Sequence, residues 1–412
     1  MMLAGFLAHP WLGCLGLLLG GVWLSRLVTV ARNMRTIPEL TRPEYDATPS
    51  HVEGGVPRVS IVVPARNEAD HIEAALRSLL QLDYPEYEVI VVNDRSEDAT
   101  GAIVERLQEK WRERGEALHH RLQVLHIREL PMGWLGKTHA MWQAGKLATG
   151  DWILFTDADV VYRQDALRRA IVYGEREKAD HVVLFPTMVM KSMGERMMMA
   201  FFQSQFVFAR RPWKAADPKS RDAVGVGAFN LMRREVYEKI GTYERMRLEV
   251  LDDMRLGELV KLEGFRQRVA FGRDLLRLRW VFGATGMVRN LTKNGFAILR
   301  FNPWFAAVAV CGVLLVNVAP FAGVALAPGW DRIGYLVALA AVALVYLGMS
   351  WHSDISPAYV ALHPVGTVLF CYTLTLSTVV TLTQGGVAWR GTLYPLAELR
   401  EYERNKERWS WL

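Results

Sequence analysis

Cysteine is nearly missing from this 412-residue chain, which has three: Cys14, Cys311 and Cys371. All three fall inside apolar stretches, so neither a disulfide framework nor a thiolate metal site is expected, and a reducing compartment is compatible with this. No basic stripe interleaved with aromatics occurs. The net charge of +6 therefore fits the loop-charge bias of a membrane protein better than nucleic-acid binding, and no nucleic acid is expected as a partner. The first apolar run also lacks a cationic stretch before it and a small-x-small cleavage site after it. This argues for an uncleaved anchor over a signal peptide.

What the chain does have is apolar residues in blocks. Hydrophobic residues make up 51% and charged residues 22%, too apolar for an ordinary soluble enzyme of this size. The excess sits in Leu12 to Val30, Trp304 to Ala327, Ile333 to Trp351 and Val360 to Leu382, each close to the ~20 residues that cross a bilayer. Arg26, Arg32 and Arg35 at the far end of the first run place the block that follows on the cytoplasmic face, and Arg289, Lys293 and Arg300 ahead of the second run agree. Four full crossings would return the tail to the opposite side. The tail from Trp389 to Arg408 carries five basic and four acidic residues, too even a balance to decide. The Thr-rich last segment reads either as a crossing or as a re-entrant segment, so the side of the tail stays open.

Between these runs the pattern changes. Residues 36–57 hold four prolines and no periodicity and read as a linker. From about Arg58, the β-branched runs VSIVVPA, YEVIVVND, LQVLHI, DWILFTDAD and HVVLFPT alternate with helical patterns such as NEADHIEAALRSLL. Alternation of this kind predicts an α/β domain with an open, doubly wound, mainly parallel sheet, whose ligands collect beyond the carboxyl ends of the strands. The expected order is anchor 1–35, linker 36–57, sheet domain 58–282, interfacial amphipathic segment 283–302, membrane region 303–389 and tail 390–412. MMMAFFQSQFVFARRPW, inside the sheet domain, and VFGATGMVRNLTKNGFAILRFNPW also suit helices lying in a bilayer interface, although Met and Phe stripes serve equally as core.

Three strand ends carry polar side chains. PARNEAD offers Pro64, Arg66, Asn67 and Glu68, where Asn67 or Glu68 also suits a helix start. NDRSEDAT offers Asn93, Asp94 and Ser96, with Asp98 as a cap. FTDADV offers Asp157 and Asp159; on a strand, positions i and i+2 point the same way, so both carboxylates reach one ion. Oxygen-only ligands suit Mg2+ or Mn2+, held by one or two carboxylates plus substrate phosphates, whereas a solvated turn would explain such a pair standing alone. Lys137 in GWLGKTHA is a candidate phosphate contact. Asp252 and Asp253 open an amphipathic helical pattern: capping explains one, and a second carboxylate can take a proton from a hydroxyl nucleophile. The small residues that begin GVGAFNLMRREVYEKIGTY allow backbone to approach a ligand closely.

The order VSIVVPARNE, VIVVNDRSEDAT, FTDADV, GAFNLMRREVYEKIGTY and LDDMRLG, from about Arg58 to Arg279, resembles the family 2 glycosyltransferases with the GT-A fold. LPMGWLGKTHAM, WRGTLY and the flanking apolar runs look like the hopene-associated or carotenoid-type lipid glycosyltransferases and, more distantly, the ceramide glucosyltransferases. The resemblance implies a Rossmann-like GT-A domain and a UDP-sugar donor, with Pro64, Glu68 and Asp94 around the nucleotide and Asp157 and Asp159 at the metal and diphosphate. Arg66 and Lys137 at the same edge complete the expected donor site. It also implies that Asp253 is the base that deprotonates the acceptor, with inversion at the anomeric carbon. The family commonly has Glu-Asp where this chain has Asp252-Asp253, which leaves Asp252 as a candidate acceptor or diphosphate contact.

The related synthases carry a Gln/Arg-x-x-Arg-Trp signature. Here Arg279 and Trp280 are preceded by Leu276, so the signature fails and a processive polymer synthase is less expected. Arg390 in WRGTLY is a candidate replacement if the tail is cytoplasmic, or else a basic residue anchoring a span end. The reading is a membrane-anchored, metal-dependent enzyme that moves one sugar from a nucleotide-sugar to a membrane lipid. A processive glycan synthase is the alternative enzyme, and a transporter or scaffold with a donor-sensing domain is the alternative class.

Overall fold

A computed structural model describes residues 10–48, 55–113 and 121–406. The first nine residues of the expected anchor, residues 49–54 of the expected linker and the last six of the tail lie outside them. The chain forms two compact units, one built from residues up to 36, 190–211 and 281–400, the other from 37–189, 212–280 and 401 onward. The division is not the linear one expected. The apolar segment 190–211 clusters with the long apolar helices, while part of the stretch read as linker joins the sheet: Leu40 is fully buried and its N–H donates to the Phe271 carbonyl at 3.0 Å.

The helical unit contains α1 (Pro10–Asn33), α6 (Met193–Arg210), α9 (Gly283–Ile298), α10 (Pro303–Leu326), α11 (Ile333–Ser350) and α12 (His363–Gln384). Four of its segments, those of α1, α10, α11 and α12, are long and apolar enough to cross a membrane. α1 and α11 touch through glycine, since a Cβ on Gly334 would lie 2.1 Å from the Gly16 backbone; small residues of this kind let helices approach closely in lipid. α12 starts beside the interior of α10, with His363 Nε2 3.1 Å from Asn317 Oδ1, and runs back past Val310, whose carbonyl lies 3.8 Å from Cys371 Sγ. The two helices are thus antiparallel, whereas three successive full crossings would make them parallel. Asn317 stands roughly 21 Å along α10 from its start, at 1.5 Å per residue, so α12 begins beside the far half of α10 and runs back towards its start. Beyond it come a hairpin of β9 (Gly386–Trp389) and β10 (Thr392–Pro395) and helix α13 (Leu396–Asn405).

The sheet of the other unit comprises β1 (Val59–Ala65), β2 (Tyr87–Asp94), β3 (Leu122–Ile127), β4 (Trp152–Phe155), β5 (Val161–Tyr162), β6 (His181–Met188), β7 (Asn230–Arg233) and β8 (Gln267–Leu278). Their order is β3-β2-β1-β4-β7-β6-β8-β5. β1 to β4 are parallel, and β7 enters antiparallel between β4 and β6. Helices α2 (Ile72–Leu79), α3 (Thr100–Arg112), α4 (Gly136–Leu147) and α5 (Ala166–Arg176) cover the sheet. Alternate residues of β1 feed two cores: Val59, Ile61 and Val63 pack with Leu76 and Val104, and Val62 packs with Ile90, Ala140 and Ala144. Burial on both faces is why these strands read as continuous apolar runs. Two further helices, α7 (Arg234–Lys239) and α8 (Asp252–Leu262), follow β7. The last described residues also belong to this unit, where Lys406 Nζ pairs with Glu249 at 2.8 Å.

His181 on β6 is fully buried, its Nε2 3.2 Å from Asn230 Oδ1 and its Nδ1 2.9 Å from Gln267 Nε2. Burial holds its pKa down at about 4, against ~6.5 for an unfolded histidine. Between these values the unfolded chain binds the extra proton. This contribution to stability is therefore complete above about pH 6.5 and lost as pH falls towards 4, by at most about 3 kcal/mol. Thermal unfolding of wild type should show that decline, and His181→Gln should flatten it.

Candidate active site

The carboxyl ends of β1, β2 and β4 lie side by side, and the loops leaving β1 and β2 are laced together. Asn67, with φ 54°, donates its N–H to Ser96 Oγ at 3.1 Å, and its Oδ1 accepts the Glu97 N–H at 2.8 Å. The N–H of Glu68 donates to Thr100 Oγ1 at 2.8 Å, and Asp98 accepts the N–H groups of Ala69 and Thr100. Pro64, half-buried, stands opposite Val92 of β2, and Arg66, also half-buried, follows in the turn. Asp94 ends β2 buried and receives a two-pronged contact from Arg95, Nε to Oδ1 at 2.7 Å and Nη2 to Oδ2 at 2.9 Å. The sequence reading had not singled out Arg95, although its place directly after Asp94 was visible. A Cβ on Gly136 would sit 2.5 Å from Asp94 Oδ2, so glycine is what lets α4 begin against this carboxylate.

Asp157 and Asp159 require a correction of argument. β4 stops at Phe155, so both lie on the turn beyond it, and strand alternation is not what aligns them. Asp157 is instead placed by its N–H, which donates to the Gly227 carbonyl at 3.0 Å. The Asp159 carboxyl is pushed up to about 7, first by burial and then by the negative charges of Asp157 and Glu68. These acids therefore share one electrostatic neighbourhood.

Lys137, in the first turn of α4, lies at the centre of the acidic edge. Its Nζ is 2.9 Å from Asp157 Oδ1 and 3.4 Å from Asp252 Oδ1. Burial pulls its pKa down, but Asp157, Asp252 and Asp253 outweigh this and hold the ammonium above the ordinary lysine value. Asp252 is buried, and burial, followed by the charges of Asp253 and Asp157, raises its carboxyl against the opposing pull of Lys137. Its Oδ2 is enclosed with no hydrogen-bond partner among the described residues. Asp253 is half-exposed and firmly oriented: Oδ2 accepts the Gly227 N–H at 2.9 Å, and Oδ1 accepts the Met254 N–H at 2.7 Å. Burial raises this carboxyl too.

The small residues of GVGAFN serve this cluster. A Cβ on Gly227 would meet Asp157 Oδ2 at 2.3 Å, and one on Gly225 would lie 1.7 Å from the Asp253 carbonyl oxygen. The glycines make room for the acids themselves. Because the Gly225 contact is to backbone, Gly225→Ala can be accommodated only by moving the start of α8. Overpacking of this kind costs about 1–3 kcal/mol, so kcat/KM should fall by at least about tenfold together with a lower melting temperature; unchanged values for both would refute the tight approach.

Among the described residues no group of three or more His, Cys, Asp or Glu side chains holds a metal by itself. Asp157 and Asp159 nevertheless fit a hard cation. They offer oxygen donors only, the two charges repel, and Mg2+ or Mn2+ ordinarily completes its shell with substrate phosphates and water. Arg390 stands exposed, with φ 49°, in the turn of the β9–β10 hairpin of the helical unit.

Residues 60–241 match the glycosyl transferase family 2 domain. A beta-monoglucosyldiacylglycerol synthase of Trichormus variabilis is 30% identical over 177 residues, 42% of this chain and 35% of that protein. A 4,4'-diaponeurosporenoate glycosyltransferase of Staphylococcus aureus is 26% identical over 240 residues, 57% of this chain and 60% of that protein. The chain thus spans less than two thirds of the length of either relative. A mannosyltransferase from Pyrobaculum calidifontis, solved in complex with GDP-Man and Mn2+, is similar in fold, with a TM-score of 0.51 at 20% identity over 90% of this chain and 99% of that one.

Proposed function

From the premise that residues 60–241 form a family 2 glycosyltransferase domain, we propose that the chain transfers one sugar from a UDP-sugar to a membrane lipid, with inversion at the anomeric carbon. The observation that carries this reading is the convergence of Asp157, Lys137, Asp252 and Asp253, from three separate segments, on the carboxyl edge of the sheet. The names of the two relatives, a monoglucosyldiacylglycerol synthase and a diaponeurosporenoate glycosyltransferase, support a lipid acceptor.

Each residue then has a task. Pro64, Arg66, Glu68 and Asp94 line the nucleotide side of the edge. Asp159 and Asp157 would hold Mg2+ or Mn2+, which supplies positive charge to the departing diphosphate. Lys137 adds a fixed ammonium to the same charge balance, and Asp252 keeps that ammonium in place. Asp253 accepts the proton of the acceptor hydroxyl as its oxygen bonds to the anomeric carbon and the bond to the donor phosphate breaks. Attack opposite the leaving group inverts the configuration. α1, α10 and α11 cross the membrane and α12 enters it, with the sheet on the cytoplasmic side, in keeping with Arg32 and Arg35 at the end of α1. The configuration of the product tests this reading: proton NMR of the glycolipid should show the anomer opposite to that of the donor, and a retained configuration would overturn the assignment of Asp253.

A further inference from the structure

Three polar side chains lie buried in a row across neighbouring strands: Asn230 on β7, His181 on β6 and Gln267 on β8. His181 stands opposite Gln267, and Asn230 stands opposite Val183, two residues on from His181, so all three share one face of the sheet. Such groups are costly in a core unless their donors and acceptors are matched. Here they match in one direction. Gln267 Oε1 accepts the Val224 N–H at 2.9 Å and Nε2 donates to the Val224 carbonyl at 2.9 Å, which fixes the amide. Its second N–H faces His181 Nδ1 at 2.9 Å, so that nitrogen accepts. The ring proton then sits on Nε2 and is donated to Asn230 Oδ1 at 3.2 Å, and Asn230 Nδ2 donates to the Val226 carbonyl at 2.9 Å. The relay begins and ends on one loop.

That loop sets the acids of the active site. Gly225 lies against the Asp253 backbone, the Gly227 N–H holds Asp253 Oδ2, and the Gly227 carbonyl accepts the Asp157 N–H. Helix α8, which begins with Asp252 and Asp253, leans on the same point: a Cβ on Gly257 would meet the Val224 carbonyl and lie 2.9 Å from Gln267 Nε2. We infer that His181, Gln267 and Asn230 are positioning residues for sugar transfer, which clamp residues 224–226 from within the core and so hold Asp253 in line with the acceptor hydroxyl. They act through the loop and are not catalytic themselves. The inference rests on the assignment of Asp253 as the base. A second ring proton would set an Nδ1–H against the Gln267 amide nitrogen, in keeping with a histidine held neutral.

Sugar transfer by the full chain in membranes tests it, with kcat counted per site that binds UDP and Mn2+, so that unfolded protein drops out. His181→Leu removes both ring nitrogens; kcat should fall about ten- to a hundredfold, the cost of a misplacement of ~1 Å, while affinity for UDP with Mn2+ changes less than about threefold. His181→Gln offers one acceptor and one donor and can carry the relay the same way, so its kcat should stay within about threefold of wild type. Asn230→Asp keeps the acceptor for His181 but loses the donor to Val226; it cuts the relay at its other end and should lower kcat about tenfold. Should His181→Leu leave no donor-binding protein, Asn230→Asp decides in the same way. In an Asp253→Asn background His181→Leu should cost nothing further, because no base is left to position. An unchanged kcat in His181→Leu, an equal loss in His181→Gln, or a full multiplicative loss in the Asp253→Asn background would each overturn the inference. Turnover retained by Asp253→Asn alone would instead overturn the assignment of the base, and the relay's task with it.

Discussion

Asp253→Asn should lower kcat by about 10²- to 10⁴-fold, the span usual for a lost general base, while leaving the affinity for the nucleotide-sugar nearly unchanged. Asparagine has the same shape but cannot take a proton from the acceptor. Its single oxygen can still accept one of the two N–H groups, from Gly227 or Met254, that now hold the carboxylate. The other N–H would face an amide NH2 group, so a loss of about 1–3 kcal/mol in stability is expected as well. Donor affinity separates the two roles. If calorimetry finds donor binding lost along with turnover, Asp253 acts by holding the Gly225–Gly227 loop and is not the base. If turnover survives, the base lies elsewhere.

Asp159→Asn should remove the dependence of donor binding on divalent cations and reduce transfer by at least about 10³-fold, since a metal supplies several kcal/mol of charge stabilisation to a departing phosphate. Asp159 is the cleaner test of the metal role because Asp157 also pairs with Lys137 at 2.9 Å. Asp157→Asn would loosen that ammonium as well, and its effect would mix two causes. Titration of Mg2+ or Mn2+ in the presence of UDP, followed by calorimetry, should give strong binding with wild type and none with Asp159→Asn. Equal binding by both would remove Asp159 from the metal site.

The alternation of β-branched runs with helical patterns made the α/β sheet domain legible, and hydropathy made the four apolar helices legible, one before the domain and three after it. The match of residues 60–241 to the glycosyl transferase family 2 domain was legible through five motifs in fixed order. β7 was not: four residues between a glycine turn and a helix carry too little periodicity to show as a strand, yet its antiparallel pairing with β4 and β6 brings Gly227 to Asp157. The course of α12 was hidden for another reason. Hydropathy measures length and not direction, and only packing against Asn317 and Val310 shows the helix turning back.

The acidic edge was legible in residue types and hidden in pairings. FTDADV announced two acids, but nothing in sequence links Lys137 to Asp157 twenty positions later or to Asp252 far beyond. Their meeting is a product of the fold, in which the start of α4 and the start of α8 both face the end of β4. The β9–β10 hairpin was not among the expected elements. Arg390 and Gly391 both have positive φ, 49° and 79°, the conformation that two-residue hairpin loops demand.

The most direct measurement of the central claim is sugar transfer itself. Membranes containing the full chain, supplied with individual UDP- and GDP-sugars and Mg2+ or Mn2+, should yield a lipid heavier by one sugar residue from a UDP-sugar, read by mass spectrometry of the extracted lipids. That species should vanish with a chelator and with Asp253→Asn. If no lipid gains a sugar from any donor, or if the same glycolipid forms in equal amount with the Asp253→Asn chain, the account is contradicted.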